Sequence, residues 1–284
     1  MEDNVIVINE KNLEKNIVAL LKERSNDSHK GDYGLLSVYA GSEYYRGCAA
    51  LNVLAAQRTG CGIVRLCSTE KVISSVCPMI PCAVFHPLEE RDGHVTTAGS
   101  DLVGSIEKAT ALLIGCGLTD CDDTGNLVAA LLGTGLPVVL DADGLNSIRS
   151  KKNLLKRAAP TILTPHIGEM ARLAGKMPED IEENRVEYAV ALSRAYGVIT
   201  VLKSSKTVVT NGEDTWEIDI PNAGLAKAGS GDVLSGIIGS LLAQRYDPIE
   251  AALLGVLLHS DAGIEASDVK GVIAMLPTDV IEEL

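Results

Sequence analysis

Asn222-Ala-Gly-Leu-Ala-Lys-Ala-Gly-Ser-Gly-Asp232 is a glycine-broken turn that runs straight into a helix. Val233, Leu234, Ile237, Ile238, Leu241 and Leu242 recur there at helical spacing and mark one apolar face. A Gly-Ser-Gly turn at a helix start lets bare backbone N–H groups converge on an anion, and the positive end of the helix dipole adds to the attraction. Gly229, Ser230 and Gly231 are therefore candidate phosphate contacts. Asp232 falls in the first helical turn. Two readings stand side by side: a dipole-stabilising carboxylate contributing about 1 kcal/mol, or an acid facing whatever the turn holds.

Outward from this turn the chain repeats one unit: a short apolar run, a glycine-containing turn, an amphipathic stretch. Candidate strands are Leu35-Tyr39, Ile63-Cys67, Ala83-His86, Ala111-Ile114, Pro137-Leu140, Thr161-Leu163, Val198-Leu202, Thr207-Thr210 and Thr215-Ile220. Most are continuously apolar rather than alternating, as expected of parallel strands covered on both faces. Helices are expected between them, one running from Pro178 to Tyr196 and stopped by Gly197, another from near Arg46 to just before Gly60. Asn211-Gly-Glu-Asp214 reads as a hairpin loop and predicts an antiparallel far edge. The expected architecture is α/β, a three-layer αβα sandwich around a mostly parallel sheet, in one domain over 1–284 with no linker. Ligands in such sheets bind beyond the carboxyl ends of the strands.

Several predicted strands end in residues suited to that role. Thr164-Pro-His-Ile-Gly-Glu169 follows one of them and delivers His166 and Glu169 to the rim, where His166 either meets a ligand or satisfies the loop, and Glu169 either does the same or caps a short helix. Ala40-Gly-Ser42 and Gly115-Cys-Gly117 permit close approach of a ligand or simply turn the chain. Asp141-Ala-Asp143 suits a magnesium shell through waters, or a turn and a helix cap. Lys203, followed by Ser204, Ser205 and Lys206, suits a phosphate or ribose, or a solvated edge. Convergence of these ends on one rim points to a nucleotide-dependent enzyme.

The composition narrows the partners. The 284 residues carry 25 Lys+Arg against 38 Asp+Glu, a formal charge of −13. Such a chain repels nucleic acid and anionic membrane, so a phosphate ligand needs a local device such as the 229–231 turn. One Phe, one Trp and seven Tyr leave a core of Leu, Ile, Val and Ala. The seven cysteines are odd in number and lack a C-x-x-C pair, so they are expected as reduced thiols rather than a disulfide frame or zinc site. No apolar run approaches the ~18 residues of a membrane span, and Met1-Glu2-Asp3 lacks a basic leader, which leads to an expected cytoplasmic location.

The chain resembles the ADP/ATP-dependent NAD(P)H-hydrate dehydratases of the ribokinase-like superfamily. The resemblance is carried by His29-Lys-Gly31 with Gly34, Ala40-Gly-Ser42 with Gly47, Arg58-Thr-Gly-Cys-Gly62, Gly115-Cys-Gly117, Asp141-Ala-Asp143, Thr164 to Glu169, Leu202-Lys203 and Ala228-Gly-Ser-Gly-Asp232. It implies dehydration of the S-epimer of NADHX or NADPHX back to NADH or NADPH, with ADP or ATP consumed and Mg2+ accompanying the phosphates without assignable direct protein ligands. By the same resemblance Asp232 is the catalytic base, Ala40, Gly117, His166 and Asp232 contact the hydrate, and Lys203, Ser204, Ser205, Lys206, Thr207, Gly229, Ser230 and Gly231 hold the nucleotide. Glu169, Asn222 and Asp141 are expected to support them. A homotetramer and a separate epimerase protein are further implications. The chain departs from the family at Cys116 (usually Pro), Ser204 (usually Gly) and Lys227-Ala228 (usually Thr-Gly). Ser204 and Ala228 are expected to narrow the nucleotide site and Lys227 to add a phosphate contact. Two alternatives remain: a ribokinase-like kinase acting on a vitamin alcohol of the hydroxymethylpyrimidine or hydroxyethylthiazole type, and a catalytically silent nucleotide-binding protein.

Overall fold

Continuous apolar strands have no solvent face, and the computed structural model, which describes residues 5–284, covers them from both sides. The strands are β1 (Val5–Asn9), β2 (Leu35–Tyr39), β3 (Ile63–Thr69), β4 (Val84–Leu88), β5 (Glu90–Arg91), β6 (His94–Val95), β7 (Ala111–Ile114), β8 (Val138–Leu140), β9 (Thr161–Leu163), β10 (Ile199–Leu202), β11 (Thr207–Thr210) and β12 (Thr215–Asp219). Ten of them form one sheet in the order β1-β12-β11-β10-β9-β8-β7-β2-β3-β4, while β5 and β6 make a small separate ribbon. From β10 to β4 every pairing is parallel; β10 with β11 and β11 with β12 are antiparallel.

The helices are α1 (Leu13–Leu20), α2 (Gly47–Arg58), α3 (Glu70–Val76), α4 (Leu102–Ile106), α5 (Asp122–Leu132), α6 (Ala142–Ser147), α7 (Ile167–Ala174), α8 (Pro178–Glu183), α9 (Arg185–Tyr196), α10 (Ser230–Ala243), α11 (Pro248–Lys270) and α12 (Pro277–Glu282). Alternation along each strand divides the core in two. Leu36, Val38, Leu113, Val139 and Val201 pack with α1, α2, α3, α10, α11 and α12 on one face. Leu35, Tyr39, Leu112, Ile114, Val138 and Leu140 pack with α5 to α9 on the other. The three layers follow directly from the sequence pattern.

Some details differ from expectation. The stretch from Pro178 to Tyr196 is two helices, because Asn184 leaves helical geometry (φ −124°, ψ 38°) and turns its side-chain amide onto the Asp180 carbonyl at 3.0 Å. The 211–214 hairpin joins β11 and β12 as expected, yet it is not the edge: β1 pairs in parallel with β12 beyond it. Strand ends also shift, with Val84–Leu88 in place of Ala83-His86 and Thr69 rather than Cys67 closing β3.

Candidate active site

The ends of β7, β8, β9 and β10 meet the start of α10. Gly229 is its N-cap, with φ 101°, and a Cβ there would lie 2.7 Å from Leu51 Cδ1, so the turn accepts only glycine. The first helical hydrogen bond runs from Val233 N to the Gly229 carbonyl at 3.1 Å, which leaves the Gly231 and Asp232 amides without an intrahelical acceptor. Ser230 N instead donates to the Lys227 carbonyl at 3.3 Å. The free amides of the turn are thus those of Gly231 and Asp232. Asn52 on α2 fixes the turn by donating from Nδ2 to the Asp232 carbonyl at 2.8 Å.

Lys203 ends β10, and its amide donates to the Pro165 carbonyl at 2.8 Å, extending the ladder beside His166. Its ammonium meets Asp141 Oδ1 at 2.8 Å and lies 3.4 Å from where a Cβ on Gly231 would stand. A cation therefore sits directly beneath the turn. Asp141 also accepts from the Ala142 amide at 2.8 Å and from the Ser235 hydroxyl. Burial pushes the Asp141 carboxyl up, but the Lys203 charge with the Ser235 and Thr164 hydroxyls outweighs it and holds the acid below its usual range. Burial likewise opposes the charge on Lys203, and Asp141 and Glu169 restore it. The ion pair is part-buried, with Asp141 enclosed and the Lys203 side chain 19% exposed.

Asp232 is the opposite case. Burial, then the charge of Asp141, push its carboxyl up to about 6, against smaller pulls from Cys116 and Lys203. Two carboxylates near one cation differ in protonation because the cation belongs to Asp141. Cys116, fully buried, lies with its Sγ 3.4 Å from Asn52 Nδ2 and 3.8 Å from Asp141 Oδ2, filling the space between the two acids.

His166 caps α7: its Nδ1 accepts from the Gly168 amide at 3.0 Å and more loosely from the Glu169 amide at 3.4 Å. Glu169 Oε2 returns the favour, accepting from the His166 amide at 2.8 Å. The ring nitrogen that accepts is unprotonated, so the proton sits on Nε2. Burial, Lys203 and Arg172 hold the imidazole pKa below its ordinary value. Nε2 lies 3.4 Å from Glu169 Oε1, and burial pushes that acid up to about 7. The capping role is thus real, and it leaves the Nε2 side half exposed at the rim.

The remaining expected residues fall as follows. Gly117 takes φ 66°, and a Cβ there would stand 2.7 Å from Tyr45 Cβ. The loops after β2 and β7 are tied by the Gly41 amide donating to the Cys116 carbonyl at 2.8 Å. Ala40 is fully buried with its carbonyl taken by the Ser68 hydroxyl. Ser204 folds its hydroxyl onto the Lys206 carbonyl at 2.7 Å, and Thr207 donates to the Ser204 carbonyl at 3.3 Å, while Ser205 is exposed. Lys206 pairs with Asp219 at 2.8 Å. Asn222 donates from its side chain to the Gly263 carbonyl and the Ser267 hydroxyl, anchoring the segment before the turn to α11. Lys227 is a correction: its ammonium donates to the Ile273 carbonyl at 2.7 Å and to the Met275 carbonyl, so it staples the loop before α12 and does not reach the turn. Sequence reasoning missed Asn52 and Ser235, both buried polar groups on otherwise apolar helix faces, which is the signal that marks them.

Direct metal ligation does not fit this carboxylate set. Asp141 is saturated by Lys203 and Ser235, Asp143 accepts from the Thr119 amide at 2.8 Å, and among the described residues no group of three His, Cys, Asp or Glu side chains converges for a metal. Burial pushes the Cys48, Cys61, Cys67 and Cys116 thiols up, which suits packing rather than reactivity. Among the described residues no helix is long and apolar enough to cross a membrane.

Comparison with known proteins supplies an independent view. A family model described as NAD(P)H-hydrate dehydratase matches residues 36–284. The chain is 36% identical over 247 residues to the ADP-dependent (S)-NAD(P)H-hydrate dehydratase of Bacillus subtilis, covering 87% of this chain and 86% of the relative. It is 33% identical over 274 residues to the bifunctional NAD(P)H-hydrate repair enzyme Nnr of Coxiella burnetii, covering 95% of this chain and 53% of that one, so it spans about half the length of such bifunctional relatives. The crystal structure of ADP/ATP-dependent NAD(P)H-hydrate dehydratase from Bacillus subtilis, co-crystallized with ATP/Mg2+, superposes with a TM-score of 0.82 at 30% identity over 99% of this chain and 96% of that one.

Proposed function

The chain belongs to the NAD(P)H-hydrate dehydratase family, and from that premise we infer that it is a nucleotide-dependent dehydratase restoring NADH and NADPH from their hydrates. The observation that carries the residue-level reading is the pairing of a carboxylate pushed up to about 6 with two free amides and a part-buried cation around one helix start.

In this reading ADP or ATP lies with its phosphates on the Gly231 and Asp232 amides above Lys203, and residues 203 to 207 border the rest of the nucleotide. Asp232 takes the proton from the 6-hydroxyl of the hydrate as that oxygen attacks the terminal phosphorus. The new O–P bond forms as the bond to the leaving AMP, or ADP, breaks. The C6–O bond then breaks with phosphate as the leaving group, a proton leaves the neighbouring ring carbon, and the dihydropyridine is restored. Lys203 and the amides stabilise charge on the transferring group, and a lost donor of this kind costs about 2.7–4 kcal/mol in comparable sites. His166, with its proton on Nε2, offers that proton as a hydrogen-bond donor to the hydrate at the rim. Gly117 contributes backbone surface on the other side, and the buried Ala40 supports it through the loop that the Gly41 amide ties to Cys116. Mg2+, where it accompanies the nucleotide, would be held by phosphate oxygens and water, and it would add counter-charge. Chain residues 1–284 are taken as one catalytic domain working in the cytoplasm as a homotetramer, with a separate epimerase supplying the S-epimer; light scattering and epimer-resolved assays test those points.

The test is direct: prepared NADHX and NADPHX are incubated with protein and ADP or ATP, and the near-ultraviolet absorbance of the dihydropyridine is followed. Recovery dependent on nucleotide is expected. Absence of recovery, with phosphate transferred instead to a vitamin alcohol, would replace the dehydratase by the kinase.

A further inference from the structure

Nine aromatic side chains serve 284 residues, and seven of them are tyrosines. Five of the tyrosines are tied into the fold. Tyr39 is buried with its hydroxyl 2.6 Å from Ser105 Oγ, Tyr33 donates to Ser28, Tyr188 donates to Asp180, Tyr246 accepts from the Lys22 amide, and Tyr196 carries the Lys156 ammonium 5.9 Å from its ring. Tyr44 and Tyr45 stand apart. They are adjacent, 71% and 59% exposed, and among the described residues their hydroxyls have no hydrogen-bond partner.

Their backbone, by contrast, is held firmly. The Glu43 amide donates to the Gly93 carbonyl at 2.7 Å, Arg46 Nε donates to the Glu43 carbonyl at 3.1 Å, and the Cys48 thiol donates to the Tyr45 carbonyl at 2.8 Å. A fixed loop presenting two free rings is a preorganised surface. It also stands at the site: Tyr45 Cβ packs over Gly117, and Cys48 beneath it is close enough to Asp232 to feel that charge. In the sheet, β7 with Gly117 lies three strands from β10 with Lys203, roughly 14 Å away at the usual strand spacing. The loop that carries the rings and the cation therefore lie apart along the rim, and Asp232 is near enough to Cys48 and to Lys203 to interact with each.

We propose that Tyr45, with Tyr44 beside it, is the stacking platform for a planar heterocycle of the dinucleotide substrate, separate from the adenine-nucleotide site at Lys203. The inference rests on the dehydratase reading, whose substrate carries two flat rings, one nicotinamide-derived and one adenine. Stacking of a base on an aromatic side chain contributes about 1–3 kcal/mol, so loss of the platform weakens substrate by roughly 5- to 150-fold. ADP, held at Lys203, is unaffected.

The experiment compares wild type, Tyr45→Phe and Tyr45→Ala with ADP saturating. Binding is read from NADH fluorescence and from the same titration with reduced nicotinamide mononucleotide, and turnover is read with NADHX. In Tyr45→Ala the expected result is about a tenfold rise in Kd for NADH and in KM for NADHX, with kcat and the KM for ADP changed less than about twofold, an unchanged melting temperature, and recovery in Tyr45→Phe. An equal loss for the mononucleotide assigns the ring to the nicotinamide end; a loss confined to NADH assigns it to the adenine end. Unchanged NADH binding in Tyr45→Ala, equal losses for NADH and ADP, or no NADH binding by wild type would each overturn the proposal. A wild-type protein that binds NADH in a Tyr45-dependent way but never turns over NADHX would instead overturn the dehydratase reading alone.

Discussion

Asp232 and Asp141 are carboxylates a short distance apart with opposite protonation tendencies, and the difference comes from which of them holds Lys203. If Asp232 acts as a base, kcat/KM falls as pH drops through about 6, because the protonated acid cannot accept the hydroxyl proton. A pH profile of hydrate turnover checks this, and Asp232→Asn should lower kcat by about 10²–10⁴ while ADP affinity stays within a few fold. The same raised pKa has a stability cost. Between about pH 4 and 6 the folded protein holds this proton more tightly than the unfolded chain, so stability falls as pH rises through that window and stays reduced above it. Asp232→Asn removes the cost. Chemical denaturation should show the variant more stable than wild type above pH 7, by up to about 3 kcal/mol, with the gain vanishing below pH 4. His166→Ala removes a helix cap worth about 1 kcal/mol and should raise the KM for the hydrate more than that for ADP; equal changes in both would place the ring elsewhere. His166 was legible as a rim residue in the sequence, but its capping geometry was not, because which ring nitrogen accepts depends on the backbone direction after Pro165.

At the scale of elements, α10 and the turn before it are the most legible part of the chain. Glycine at 229 and an apolar stripe from Val233 to Leu242 specify both the break and the buried face. Gly229→Ala places a Cβ against Leu51 at an unfavourable φ and should destabilise the fold by about 1–3 kcal/mol while weakening ADP binding at least tenfold. Calorimetry at matched temperature separates the two effects. Lys227 was misread because a cation two residues before a glycine turn looks like a phosphate ligand in one dimension. In three dimensions the loop between α11 and α12 offers it two carbonyls first. The split of α8 from α9 at Asn184 escaped for a related reason: an Asn inside a helical pattern costs little unless its side chain finds a nearby carbonyl, and that partner is visible only in the fold.

For the whole molecule, nine of the twelve strands among the described residues could be read from the sequence, most from continuous apolar runs, since a strand with no polar face must be covered twice, and the β11–β12 pair from its hairpin loop. β1 escaped because an edge strand keeps exposed residues, here Ile6 and Val7, and pairs with a segment more than two hundred residues away. The net charge of −13 makes the local cation and amides necessary for holding a polyanion, and ligand binding to that one place should stabilise the whole sheet. ADP at about 100 times its Kd adds about 2.7 kcal/mol, read as a melting-temperature rise of several degrees that Gly229→Ala reduces.

The central claim is that Asp232 deprotonates an alcohol whose oxygen then departs as phosphate from a group gripped by the adjoining amides. It is tested most directly by mixing wild-type protein and Asp232→Asn with NADHX and ADP and counting NADH, AMP and inorganic phosphate together. Equal amounts of all three from wild type, and at least about a hundredfold slower formation of each by a variant that still binds ADP, are the predicted result. NADH formed without AMP, or undiminished turnover in Asp232→Asn, would contradict it.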